Sequence, residues 1–246
     1  MRNKFSVYML FAAVLIITAC SSEGIKLTNV TSEGDTETIQ ALIVNDGYGE
    51  YVFVPAGEFE MGDNFSEGNS DERPVHTITL DAYYIGKYEV TNTQFAAFLN
   101  DRGAHSGGGN TWYDINDTDA RISLSSGTYS ADNGFEDHPV VEVTWYGATE
   151  YAVWLSEKTG KTYRLPTEAE WEKAARGDAS ANSALGHQRR YPWGDDTDGS
   201  YANYWNSGDP FDNGSSPVGY YDGSTHGSFQ TNDNASPYGA FDMAGN

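Results

Sequence analysis

A single cysteine, Cys20, stands among 246 residues, which excludes a disulfide within the chain. Basic residues are also scarce: 14 Lys and Arg face 36 Asp and Glu, for a net charge of −22. That balance excludes nucleic-acid binding, because neutralising phosphates takes clustered Lys and Arg; an acidic surface suits solubility, cations or basic peptides instead. The five histidines fall without His-x-His or His-Glu-x-x-His spacing and offer no zinc site. Gly107-Gly108-Gly109 has no neighbouring lysine to make it a phosphate cradle, and Gly223-Ser224-Thr225-His226-Gly227 carries threonine where a nucleophile elbow needs serine. Asp195-Asp196-Thr197-Asp198-Gly199 opens like an EF-hand loop, but no glutamate closes it and it reads as a turn.

Apolar content is modest at 38%, while Gly (27), Tyr (17), Phe (11) and Trp (6) are plentiful. The core therefore rests on aromatic side chains and much of the backbone lies in turns, an irregular, loop-rich arrangement. The length suits one large domain or two small ones, burying roughly 70% of the unfolded surface.

The apolar run at residues 5–17, preceded by Arg2 and Lys4, falls short of the about 20 residues that span a bilayer but has the length of a signal-peptide core. It ends in Ile17-Thr18-Ala19-Cys20, followed by Ser21-Ser22, and this resembles the lipobox of bacterial lipoproteins. The resemblance implies that Cys20 becomes the acylated first residue after removal of the leader. The expected location is then the cell envelope, with a lipid anchor in the membrane; Ser21 and Ser22 favour the outer membrane.

Residues 21–49 are rich in Ser, Thr, Glu and Gly and read as a flexible tether, so the domain is expected over 50–246. Tyr51-Val52-Phe53-Val54 and Phe59-Glu60-Met61 predict two strands around Pro55 and Gly57, and residues 75–80 with the following Tyr83-Tyr84-Ile85 predict another. Thr91 and Gln94 have capping-box spacing ahead of a helix through Phe95, Phe98 and Leu99. A second helix starts at Thr144, turns Trp145, Ala148, Ala152 and Leu155 to one face and stops at Gly160. Thr167 and Glu170 bound a third, short helix that closes at Gly177, a capping box worth about 1 kcal/mol. Residues 103–138, and those after Gly177, predict long loops. Trp145, Trp171 and Trp193 are expected as core anchors.

Seven segments stand in a recognisable order: Val54-Pro55-Ala56-Gly57-Glu58-Phe59; Glu72-Arg73-Pro74-Val75-His76; Tyr88-Glu89-Val90-Thr91-Asn92; Pro139-Val140-Val141-Glu142-Val143-Thr144-Trp145; Arg164-Leu165-Pro166-Thr167-Glu168-Ala169-Glu170-Trp171; Tyr191-Pro192-Trp193-Gly194; and Asp242-Met243-Ala244-Gly245-Asn246. Together they resemble the sulfatase-modifying factor family, whose founding members are formylglycine-generating enzymes. The resemblance implies an irregular α+β fold of the C-type-lectin-like kind, low in regular secondary structure. It also implies, for an intact parent, an oxidase that converts a sulfatase cysteine to formylglycine with molecular oxygen and copper held by two cysteines, soft ligands for a soft ion.

The last motif normally continues as Gly-Asn-x-Trp-Glu-Trp and the family's cysteine pair lies beyond it. The resemblance thus implies an incomplete domain that has no catalytic residue and is itself inactive. Cys20 cannot substitute, since acylation consumes its thiol. Structural calcium is a further implication: Asn203 and Tyr204 (carbonyl) match half of one site, completed by Asp209 and Phe211 (carbonyl), with Asp212 or Asn213 as alternatives, and Asp242 and Gly245 match part of a second. The resemblance implies, as the expected partner, an exported sulfatase or another cell-envelope protein. A noncatalytic binding or assembly module, as in lipoproteins of gliding-motility or secretion machinery, is the alternative reading. Iron-dependent carbon–sulfur bond-forming enzymes of this fold carry a histidine-rich bundle that this sequence lacks.

Overall fold

Short β-branched and aromatic runs broken by Pro and Gly make short strands, and that sets the architecture of this protein. A computed structural model describes residues 43–104, 111–196, 198–211 and 214–246, together with the backbone of residues 16–18. In chain order the strands and helices are β1 (Ile16–Thr18), β2 (Ile43–Asn45), β3 (Glu50–Val54), β4 (Gly57–Met61), β5 (His76–Leu80), β6 (Tyr83–Gly86), α1 (Asn92–Arg102), β7 (Ile122–Ser125), β8 (Thr128–Ala131), α2 (Trp145–Thr159), β9 (Thr162–Arg164), α3 (Glu168–Arg176), β10 (Thr225–His226) and β11 (Phe229–Gln230).

Five strands form an antiparallel sheet in the order β2-β3-β6-β1-β9, with Tyr51 opposite Gly86 and Val54 opposite Tyr83. Strand residues alternate between faces, and the burial follows. Tyr51 and Tyr84 point into an aromatic core with Phe95, Phe98, Tyr151 and Trp154 of α1 and α2. Val52, Val54, Tyr83 and Ile85 point the other way, into a smaller core with Ala174 and Ala175 of α3 and with Tyr238, Ala240 and Met243. One sheet thus separates two cores, in a mixed α and β fold with few helices.

The helix ends lie where their caps predict. Thr91 accepts from Gln94 N while Gln94 Oε1 accepts from Thr91 N at 2.8 Å, and Thr167 and Glu170 make the same exchange. Thr144 Oγ1 accepts from Gly147 N to open α2, and Gly160, at φ 70°, closes it in the left-handed conformation.

Four expectations need correction. Residues 75–85 make two strands, not one: exposed β5 pairs with β4 in a hairpin, while buried β6 turns into the main sheet. The folded part begins before residue 50, because Ile43–Asn45 already pairs with β3, and residues 21–42 of the expected tether lie outside the described residues. The loop expected over residues 103–138 contains the hairpin β7–β8, turned by Ser126 and Gly127 at φ 52° and 82°, the positive pair that a two-residue hairpin loop requires. Trp145 and Trp171 are no core anchors, at 56% and 38% exposed. Trp145 sits in the first turn of α2 with its ring against Tyr146, and Trp171 lies off the buried 170, 173, 174 stripe of α3. Trp193 is half-buried and stacks between Tyr191 and Tyr201, each within 8° of parallel. The tryptophan that anchors the core is Trp154, whose Nε1 donates to Asp101 at 2.8 Å.

The leader reading meets the sheet at β1. The backbone of Ile16–Thr18, within the expected signal peptide, pairs with both β6 and β9. Processing at Cys20 would take this strand away and leave the facing edges of β6 and β9 unpaired. Cys20 itself lies outside the described residues.

Candidate functional site

Beyond α3 the chain has little regular structure, and its backbone is held by buried polar side chains. Asp209 is the centre of one knot. Its Oδ2 accepts from Tyr221 OH at 2.8 Å and from Ser207 Oγ, and its Oδ1 accepts from Phe211 N at 2.5 Å. Burial and the Asp209 carboxylate hold the Tyr221 phenol far above its usual range, so it stays a donor. Beside it Asn203, also buried, donates from Nδ2 to Gly214 O at 2.7 Å. The carbonyls of Tyr204 and Phe211 accept from Ser207 N at 2.9 Å and Gly214 N at 2.8 Å.

Asp242 is the centre of a second knot. It takes a positive φ of 57°, and its carboxylate accepts from Asn234 Nδ2 at 2.9 Å and Gly219 N at 2.5 Å. Burial pushes its pKa up to about 6, against the effect of those two bonds. Glu89, at the start of the Val90-Thr91-Asn92 run into α1, is buried beside it and raised well above the carboxylate range by burial and by the charge of Asp242. Asn246 links this pair to the rest, donating from Nδ2 to Glu89 Oε2 at 2.8 Å and accepting on Oδ1 from Ser216 N at 2.6 Å.

The two knots adjoin. A Cβ on Gly245, at φ 111°, would stand 2.9 Å from the carbonyl oxygen of Asn203, so only glycine allows the two backbones to approach so closely. Asn203, Tyr204, Asp209 and Phe211 thus lie in one short loop, with Gly245 of the second set against it. Asp212 and Asn213 lie outside the described residues. The sequence reading missed Glu89, Asn234, Asn246 and Tyr221, of which Glu89 reaches the second knot from 157 positions before Asn246.

Asp117, Asp119 and Glu142 also bring carboxylate oxygens within 4.8 Å of one another, all on exposed residues. No histidine takes part in such a cluster among the described residues.

Residues 39–246 match the sulfatase-modifying factor enzyme 1-like domain. The chain belongs to this family. It is 38% identical over 199 residues to the serine/threonine-protein kinase pkn1 of Chlamydia caviae, covering 80% of this chain and 26% of the kinase. It is 38% identical over 172 residues to the formylglycine-generating enzyme of Streptomyces coelicolor, covering 59% of this chain and 50% of the enzyme. Among solved structures it superposes on PvdO from Pseudomonas aeruginosa with a TM-score of 0.58 and 28% identity, over 84% of this chain and 72% of PvdO. The chain therefore spans about a quarter to a half of the length of these two sequence relatives.

The metals that sulfatase-modifying factors imply fit this chain unequally. A bis-thiolate copper site needs two thiols and the sequence holds one, so these residues do not supply it. Calcium needs oxygen ligands, and Asn203, Tyr204, Asp209 and Phe211 offer only oxygens, two of them on buried side chains. A cation there would replace the Ser207 and Tyr221 hydroxyls on Asp209. The second set contributes Asp242 and Gly245, with the buried carboxyl of Glu89 beside it.

Proposed function

We propose that this chain is the sulfatase-modifying-factor domain of an exported, lipid-anchored protein of the cell envelope, and that its 246 residues do not themselves oxidise a sulfatase cysteine. The observation that carries this is the cysteine inventory. The oxidase chemistry uses two thiolates on one copper, and the sequence holds one thiol, Cys20, at the expected lipidation site. Identity to the Streptomyces formylglycine-generating enzyme supports an intact parent of the oxidase kind, acting on an exported sulfatase. The full chain, supplied with copper(I), oxygen and a sulfatase-motif peptide, is expected to give no aldehyde product by mass spectrometry. Aldehyde formation above the no-protein control would overturn this reading.

A binding or assembly role within the cell envelope is the second reading, and one observation favours it. The same domain matches only 26% of a much longer protein whose name is that of a kinase, so it occurs as a module carried by other machinery. Lipidation at Cys20 is tested by labelling cells with an alkyne fatty acid: Cys20→Ser is expected to abolish incorporation, and unchanged labelling would sink the anchor. Structural calcium at Asn203, Tyr204, Asp209 and Phe211, with Asp242 and Gly245, is proposed on donor chemistry alone. It is expected to raise Tm when added after chelation, with Asp209→Asn losing that response.

A further inference from the structure

The β7–β8 hairpin presents the outer edge of β8 to α1. Thr128–Ala131 pairs with β7 so that Ser130 faces Ser123 and Tyr129 faces Leu124. In an antiparallel pair the backbone groups of alternate residues point inward to the partner strand and outward to the edge. Those of Tyr129 point outward, and the side-chain amide of Asn100, on α1, meets both: Asn100 Nδ2 donates to Tyr129 O at 2.7 Å and Asn100 Oδ1 accepts from Tyr129 N at 2.8 Å. A carboxamide carries the donor and acceptor of a peptide group. Asn100 therefore stands where the backbone of a third strand would.

Ala131, two residues on, points its N–H and C=O to the same edge, and no donor or acceptor among the described residues meets them. Beside it, between α1 and β8, lies a groove of about 360 Å³ lined by Thr93, Ala96 and Ala97 of α1, by Ala131 and by Glu136. The small side chains at positions 96 and 97 leave this space between helix and strand. Its volume lies within the range of small-ligand sites, roughly 300–1,000 Å³. Glu136, which is exposed, is the one charged residue among the described residues that line it.

An unpaired N–H and C=O on a strand edge are a template for an added strand. The length available is short. Asn100 occupies the edge at Tyr129, and a turn in which Phe135 N donates to Asp132 O at 2.9 Å carries the backbone away on the other side. The net charge of −22 and the carboxylate of Glu136 favour a cationic partner. We propose that this groove binds a short extended peptide, which pairs with the backbone of Ala131 and places a basic side chain at Glu136. None of the calcium donors lines the groove, and the site does not depend on thiol or metal chemistry in any parent protein.

The test follows backbone amide signals of the full chain by NMR at low ionic strength, during titration with acetyl-Ala-Lys-Ala-amide and with acetyl-Ala-Glu-Ala-amide. The lysine peptide is expected to shift the Ala131 amide and slow its exchange, and the glutamate peptide to bind about threefold more weakly or worse. Ala131→Pro removes the outward N–H and none of the bonds within the hairpin, a position where an edge strand tolerates proline. Read on Tyr129 and Ser130, it is expected to weaken the lysine peptide about threefold to tenfold. Glu136→Gln keeps an acceptor for Gly134 N and is expected to remove most of the difference between the two peptides. Ala97→Leu, at an exposed position of α1, fills the groove and is expected to abolish binding; it decides the matter if the proline variant loses the hairpin. The proposal is overturned if the lysine peptide leaves the Ala131 amide unmoved, if the two peptides bind equally, or if Ala97→Leu binds like the parent.

Discussion

The chain up to Gly177 and the chain after it reach a buried interior by different means. Before residue 178 lie 23 of the 28 buried hydrophobic residues among those described; after it lie nine of the fifteen buried polar ones. The first region holds together by burying rings and aliphatics against one sheet, a contribution that needs no partner atom in a fixed direction. The second holds together by satisfying Asp209, Asn234, Asp242 and Asn246 with specific donors and acceptors, each with a single geometry. Trimming a hydrophobic interior costs according to the volume removed, whereas losing one partner in a polar interior leaves particular donors or acceptors unsatisfied.

The largest expected effect belongs to the first region. Phe98 is fully buried and packs against Phe95, Trp112, Tyr151 and Trp154, so Phe98→Ala is expected to cost about 3–5 kcal/mol in urea denaturation. Asp209→Ala strands the Tyr221 hydroxyl and Phe211 N–H and is expected to cost about 2–3 kcal/mol. Amide exchange should accelerate around residues 203–221 while α1 and α2 keep their protection. Equal loss of protection in both regions would erase the distinction.

The pH dependence probes the second knot. With the folded pKa of Asp242 raised to about 6, the protonated form is favoured in the folded state. Its contribution is complete below the unfolded value near 4 and is lost as pH rises through about 6. Urea midpoints in the absence of added cations should therefore fall between pH 4.5 and 7 by more in the parent than in Asp242→Asn; parallel profiles would refute this. The smallest effect is at a helix end, where Thr167→Ala is expected to cost about 1 kcal/mol, with Tm falling by a few degrees and no change in the C-terminal exchange pattern.

The same contrast explains what could be read from the sequence. All three helices were legible because their caps are local: Thr91 with Gln94, Thr144 with Gly147 and Thr167 with Glu170 each lie three residues apart. The family motifs marked the loop that holds Asn203 and Asp209. The β7–β8 hairpin went unread: Ser126-Gly127 sits between alternating runs, but the glycine-rich and acidic surroundings masked it. Strand pairing was not legible, because nothing local in Tyr51 names Gly86 as its partner. Nor was the polar interior: Glu89 meets Asn246 across 157 positions, and one-dimensional spacing carries no trace of such a contact. Trp145 and Trp171 misled because size and apolarity were read without the helical angle that decides which side of α3, or which end of α2, faces the sheet.

Lys173 offers a chemical clock for one of these contacts. It is fully buried on α3, and its ammonium donates to the carbonyls of Pro55 and Gly57 at 2.7 and 3.0 Å in the turn between β3 and β4. Burial lowers its pKa, which by itself would make it a better nucleophile than a surface lysine. Enclosure reverses that ranking: an acylating reagent reaches this amine only in the moments when α3 lifts from the turn. The rate at which Lys173 is modified, set against that of exposed Lys161, therefore counts the openings of that joint.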